Sequence, residues 1–415
     1  MTWVISRRAP IRYFFLLMQA DLKIRTSLPP LLLRDHKLLP VIQGGMGVGI
    51  SAHRLAGSVA KEGAVGTIAS VDLRRLHPDI MQRLRKCHDP RAHADANLEA
   101  LDREIRAAHV LAPGGFVAVN VMHAVNHYDE HVRQACASGA DAIVMGAGLP
   151  FDLPDLTADY PDVALIPILS EERGVRAVLK KWMRKGRLPD AMVIEHPGYA
   201  GGHLGATRLE EVRDAKFDFR RVLDEIQKVI RELGLTLEKI PLIPAGGINS
   251  FEKLKALFDL GASGVQIGTP FAVTEESDAH PNFKKVLAEA GPKDIVTFLS
   301  AAGLPARAVL TPWLRRYLGR EQKLRAEASP DCAQCPSQTE CLTHCGFKDG
   351  NPGAGQFCIE VQLAAAQRGN IEQGLFFRGS ESLPFGREIR KVRELIEYLL
   401  SGTRPAPFAP VASGS

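Results

Sequence analysis

A histidine among glycines, three glycine-bearing loops and a knot of cysteines are the parts of this chain that could do chemistry. In Glu195-His196-Pro197-Gly198-Tyr199-Ala200-Gly201-Gly202-His203-Leu204-Gly205 the small residues let an imidazole project into a site with nothing bulky beside it. Neutral imidazole accepts a proton near neutral pH, although a histidine in such a loop can equally be a plain exposed side chain. Ala245-Gly246-Gly247-Ile248 and Gln266-Ile267-Gly268-Thr269 each follow an apolar run. Their glycines let backbone N–H groups approach an anion, and Thr269 offers a hydroxyl. A glycine can also merely turn the chain, but two such loops at the last two strand ends point to a phosphate site. Gln43-Gly44-Gly45-Met46-Gly47 can pass beneath a flat ring, with Met46 as a soft contact. Asn120, near the end of another apolar run, can bond the edge of such a ring or act as a cap.

Five of the seven cysteines crowd into Cys332-x₂-Cys335-x₅-Cys341-x₃-Cys345-x₁₂-Cys358. An odd, clustered set without an export signal points to a metal rather than to disulfides. A cubane iron–sulfur cluster needs four thiolates, and so does a structural Cys₄ zinc site. Five candidates are one too many, and the spacing favours neither metal.

The elements that must position these groups are eight apolar runs, most followed by a helical pattern: 39–43, 65–69, 115–121, 141–146, 163–169, 191–196, 241–245 and 264–268. Eight strand–helix units predict a (β/α)₈ TIM barrel, with its chemistry at the C-terminal strand ends. GGMGVG after the first run is not G-x-G-x-x-G, which argues against a dinucleotide-binding sheet. The barrel is expected over 35–325, after a flexible leader at 1–34, with insertions at 72–113 (helical) and 197–217 (a glycine-rich loop). A cysteine-rich and helical module follows over 326–402, then a Pro/Ser-rich tail at 403–415 read as disordered.

With 45% apolar and 24% charged residues and a formal charge of +5, the chain reads as an ordinary soluble protein, and no basic run interleaved with aromatics argues for nucleic acid. No window is apolar and long enough for a membrane span, and a cytoplasmic location is expected. The basic runs Lys180, Lys181, Arg184, Lys185, Arg187 and Arg315, Arg316, Arg320, Lys323, Arg325 read as solvated helix faces or as a dock for an acidic carrier.

Taken together and in order, QGGMGVG, AGGHLG, PAGGI and GVQIGT resemble the nitronate monooxygenase (formerly 2-nitropropane dioxygenase)/enoyl-ACP reductase flavoprotein family over roughly residues 35–310. The resemblance implies an FMN barrel in which His203 is the catalytic base and Gly44, Gly45, Met46, Asn120, Ala200, Gly201, Gly246, Gly247, Gln266, Gly268 and Thr269 contact the flavin. IVMGAGLP, VALIPILS, LPARAV, the cysteines and GNIEQGLFFRG are similar to a branch of that family, the FMN- and [4Fe–4S]-dependent decanoyl-ACP dehydrogenase/isomerases. That likeness implies a [4Fe–4S] cluster on Cys341, Cys345 and Cys358, with Cys335 or alternatively Cys332 as fourth ligand. It also implies an acyl carrier protein or acyl-CoA substrate, a role in unsaturated fatty acid synthesis, and dioxygen or another electron acceptor. Nitronate oxidation is the alternative activity, structural zinc the alternative metal, and the sequence is compatible with an oligomer.

Overall fold

A computed structural model describes residues 24–330 and 341–406. Cys332 and Cys335, most of the expected leader and most of the tail lie outside the described residues. A hairpin of β1 (Leu31–Leu33) and β2 (His36–Leu38) leads into the first parallel strand, β3 (Val41–Gln43). The barrel continues through β4 (Val65–Ala69), β5 (Phe116–Met122), β6 (Ala142–Gly146), β7 (Ala164–Leu169) and β8 (Met192–Glu195). After a short excursion as β9 (Gly202–His203) the chain returns for β10 (Leu242–Ala245) and β11 (Val265–Ile267). These eight parallel strands close in the order β10-β11-β3-β4-β5-β6-β7-β8. The expected strands and the closed barrel therefore match the structure.

Closure follows from strand alternation. Inward residues such as Ile42, Phe116, Ala118, Val144, Ile166, Val193 and Ile243 make one core, which the hairpin residues Leu31, Leu33 and Leu38 seal at the N-terminal end. Outward residues such as Val117, Val119, Ile143, Leu165, Met192 and Ile194 make a second core with the surrounding helices. Helix and sheet approach each other closely at Gly66. A Cβ there would lie 1.9 Å from the carbonyl oxygen of Ala56 in the helix His53–Lys61, so only glycine fits.

The insertion at 72–113 forms the helices Pro78–Leu84 and Pro90–Leu111. Two elements were not legible beforehand. β12 (Ile295–Leu299) and β13 (Pro305–Val309) form a small antiparallel sheet in the order β12-β13-β9, with Ala306 opposite His203 and Arg307 opposite Gly202. The cysteine-bearing segment is strapped to the barrel through backbone pairs: Asn126 N–H donates to Cys341, Thr343 N–H to Ala124, and Ala308 bridges Phe377. The last helix, Val392–Ser401, buries Val392, Leu395, Ile396 and Leu399 against the helices carrying Leu55, Val59, Leu254 and Leu257.

Candidate active site

The glycine loops converge because strand ends in a parallel barrel all open on one face. There a cavity of about 290 Å³ is lined by every residue named above for the ring and the phosphate: Gly44, Gly45, Met46, Asn120, Ala200, Gly201, Gly246, Gly247, Gln266, Gly268 and Thr269, together with His203. The loop glycines are spatially required. A Cβ on Gly45 would lie 2.3 Å from the Asn120 Cβ, and Gly247, at φ +75°, would carry one 2.8 Å from Tyr199. Gln43, fully buried, accepts from the Thr67 N–H at 2.9 Å and donates to the Gly44 carbonyl at 2.5 Å, which fixes the start of the first loop.

Of the two histidines in the glycine loop, only His203 lines the cavity. His196 is tied into the loop, its Nδ1 accepting from the Gly198 N–H at 3.0 Å and its ring against Tyr199 at 4.4 Å. His203 sits on β9, 5.7 Å from the Phe377 ring, and burial lowers its imidazole to about 4, so it is neutral at ordinary pH. The loop is held by Arg307, which donates from Nη1 to the carbonyls of Pro197 (3.1 Å) and Ala200 (2.5 Å). Burial lowers that guanidinium to about 10.

On the barrel side of the cavity His203 Nε2 and Gln266 Oε1 have no hydrogen-bond partner among the described residues, and Glu360 Oε2 on the C-terminal segment is a third such atom. Buried polar atoms are normally bonded, so the two on the barrel side want a ligand. Together with glycine-only backbone at Gly45 and Gly247, they fit a flat heteroaromatic group with an anionic tail. Thr269 Oγ1 accepts from the Gly379 N–H at 3.0 Å, leaving its own proton for an anion.

Sequence reasoning did not assign the remaining wall. Its apolar half comes from Met122, Val125, Phe283 and Leu287 and, from the C-terminal segment, Leu342, Ile359, Leu363 and Phe377. Glu360, beside Cys358, also reaches the cavity and is ion-paired with Arg74 (3.4 Å) and Arg75, both of which contact the fully buried Asp72. Burial pushes its carboxyl up. Glu195 lines the cavity too, and burial raises it to about 7. Its inward direction follows from Val193 two residues earlier, a signal present in the sequence.

Among the described residues no group of three or more His, Cys, Asp or Glu side chains is arranged to hold a metal ion. Cys345 is buried, and Cys341 and Cys358 are half-buried. The three described cysteines do not by themselves form the expected cluster or zinc site, and the expected fourth ligand lies outside the described residues. In the basic runs, Lys185 pairs with Asp155, Arg187 with Asp190 (2.6 Å) and Arg316 with Glu372 (3.2 Å).

The family model described as NMO, nitronate monooxygenase, matches residues 32–402. A probable nitronate monooxygenase of Bacillus subtilis is 26% identical over 295 residues, covering 66% of this chain and 77% of the relative. The (3aS,4S,5R,7aS)-5-hydroxy-7a-methyl-1-oxo-octahydro-1H-indene-4-carboxyl-CoA dehydrogenase of Mycobacterium tuberculosis is 25% identical over 292 residues, covering 70% and 67%. Among solved structures, FabK from Thermotoga maritima superimposes with a TM-score of 0.59 at 22% identity, covering 87% of this chain and 91% of that one. A nitroalkane oxidase from Streptomyces ansochromogenes does so with a TM-score of 0.59 at 19% identity, covering 87% and 94%. At those identities the structural likeness speaks for the fold.

Proposed function

This chain belongs to the nitronate monooxygenase family and is a flavin-dependent oxidoreductase, and on that premise we propose that it is an FMN-dependent acyl-thioester dehydrogenase and isomerase. The observation that carries the reading is the lining of the cavity, which combines glycine backbone, Gln266 and Asn120 with the apolar side chains of Phe283, Leu287, Leu342, Ile359 and Leu363. An acyl chain gains from burial against such side chains by roughly 0.8 kcal/mol per methylene. The name of the mycobacterial relative, a carboxyl-CoA dehydrogenase, is consistent with a thioester.

FMN, when bound, supplies a hydride acceptor. The Gly246, Gly247 and Gly268 amides and the Thr269 hydroxyl would hold its phosphate. Gly44, Gly45, Met46, Asn120, Ala200, Gly201 and Gln266 would hold its ring. His203, kept neutral by burial, takes the proton from the carbon next to the thioester carbonyl as the hydride leaves the neighbouring carbon. Burial keeps this base unprotonated and ready to accept, and the developing enolate would stabilise the imidazolium as it forms. An acyl carrier protein or acyl-CoA would deliver the substrate, dioxygen or a partner would accept the electrons, and unsaturated fatty acid synthesis in the cytoplasm is the setting this reading implies. Among the described residues no helix is long and apolar enough to cross a membrane.

The relatives named as nitronate monooxygenases favour a second reading. A nitronate is already a carbanion, so its oxidation needs neither a base nor a long apolar wall. Anaerobic mixing of the holoprotein with a decanoyl carrier thioester, and separately with an alkyl nitronate, separates the two. Flavin bleaching by the thioester supports the first reading; bleaching by the nitronate alone transfers the activity to the second. The iron–sulfur reading of the C-terminal module rests on cysteine spacing and resemblance, and no step is routed through it. Cys345→Ser should abolish iron binding, and unchanged iron content would remove the cluster from that module.

A further inference from the structure

Glu195, one of the carboxylates lining the cavity, has no role in the reaction as described so far. Along β8, Met192 and Ile194 belong to the outer core while Ala191 and Val193 belong to the inner one. Strand alternation therefore turns Glu195 inward at the last position of the strand. In register it faces Ala245, which in turn faces Gln266. Glu195 thus stands in the inward layer that also presents Gln266 to the cavity, and it lines that cavity together with His203.

Other carboxylates around the barrel mouth have ionic or hydrogen-bonding partners. Asp72 and Glu360 share Arg74 and Arg75. Glu104 bonds His53 at 2.7 Å and His77 at 3.0 Å, and Asp278 accepts from the Ala52 and Leu55 amides at 2.9 and 3.1 Å. Among the described residues no group donates to the Glu195 carboxyl. Glu195 is half-buried, and a carboxylate withdrawn from water with no donor favours its protonated form. A carboxylic acid has one O–H to give, and the space in front of it is the cavity.

We propose that Glu195 is a second catalytic group of this site, the acid that works opposite the His203 base when the double bond of an enoyl thioester is moved. The inference rests on the acyl-thioester reading. In the step itself, His203 removes a proton from Cγ of a 2-enoyl thioester, and that C–H pair becomes the Cβ=Cγ bond. The electrons of the Cα=Cβ bond take the Glu195 proton at Cα. Histidine ends protonated and glutamate ionised, and proton exchange with solvent restores both. No oxidant or reductant is consumed. Burial moves the two groups apart in the required sense, the acid up to about 7 and the base down to about 4. Environments that split two titratable groups in this way set up acid and base assignments.

The test uses the FMN-loaded full chain in D₂O with a trans-2-decenoyl carrier thioester, and in parallel a saturated decanoyl carrier thioester under anaerobic conditions. Wild type should form the 3-enoyl product with deuterium at Cα. Glu195→Gln should lower that isomerisation about 100-fold, the low end of what a positioned acid contributes, while slowing flavin bleaching by the saturated thioester far less. Glu195→Asp should recover part of the isomerisation. Equal losses in both reactions, or isomerisation at the wild-type rate in Glu195→Gln, would overturn the assignment. A wild type inert to both thioesters would remove the acyl reading itself, and the assignment with it. Independently of turnover, infrared spectra of the FMN-free protein at neutral pH should show a protonated carboxyl band that shifts in D₂O and is missing from Glu195→Gln. Its absence from wild type contradicts a neutral acid.

Discussion

The barrel and the C-terminal segment wall the same cavity but are built by different physics. The barrel is held by two continuous apolar layers, one inside the strands and one between strands and helices. The C-terminal segment is held by a few backbone bridges, a buried ion network and a small satellite core around Phe298, Leu342 and Phe357. A cavity made in this way separates two jobs. The barrel side presents fixed backbone and two unpartnered polar atoms, which suits a group that stays. The C-terminal side presents Leu342, Ile359 and Leu363, which suits a chain that comes and goes.

Substitutions that strike one side only sharpen that contrast. The largest effect is expected in the barrel wall. Gly66→Ala forces a methyl into the Ala56 carbonyl, and overpacking against backbone costs about 3 kcal/mol or more. Thermal unfolding should show a drop of several degrees, and an unchanged Tm would mean that helix His53–Lys61 is free to move away. A smaller effect is expected from the other wall. Leu363→Ala removes apolar surface from the wall proposed to hold the acyl chain, so KM for a decanoyl thioester should rise about ten-fold, or about 1.4 kcal/mol. A short acyl thioester should be affected far less, and equal losses for both lengths would take Leu363 off the acyl path.

A further effect concerns pH in the FMN-free protein. Glu195 has its folded value raised to about 7, so its contribution to stability is present at low pH and is lost as pH rises from its ordinary carboxyl range through that value. His203 has its folded value lowered to about 4, so its contribution is present above the ordinary imidazole range and is lost as pH falls towards that value. Glu195→Gln should therefore gain stability relative to wild type on going from about pH 5 to about pH 8, measured by urea unfolding. A difference independent of pH would mean that the Glu195 carboxyl is not buried without a partner.

The same contrast governs how much could be read from the sequence. The eight strands were legible because strands buried on both faces read as short continuous apolar runs such as Val163–Leu169 and Asp141–Gly146. The glycine loops were legible because they follow those runs. β9 was not legible: it is a Gly-His pair inside a loop, and it becomes a strand only because β13, far along the chain, lies beside it. β13 itself is Pro-Ala-Arg-Ala-Val, and its buried arginine reads as a surface residue until its carbonyl partners on the His203 loop are seen. The contribution of Leu342, Ile359 and Leu363 to the cavity has no local pattern at all, since it depends on where the segment is strapped. Glu195, by contrast, was within reach, because counting two residues on from Val193 turns it inward.

The central proposal is that a half-buried, neutral His203 acts as a base towards an acyl thioester beside a flavin held by the barrel loops. Its most direct test is the rate of anaerobic flavin bleaching by a decanoyl carrier thioester in FMN-loaded wild type and His203→Ala. The account predicts bleaching in wild type and a rate at least about 100-fold lower in the variant, with FMN content unchanged. Bleaching at the wild-type rate in His203→Ala would contradict it.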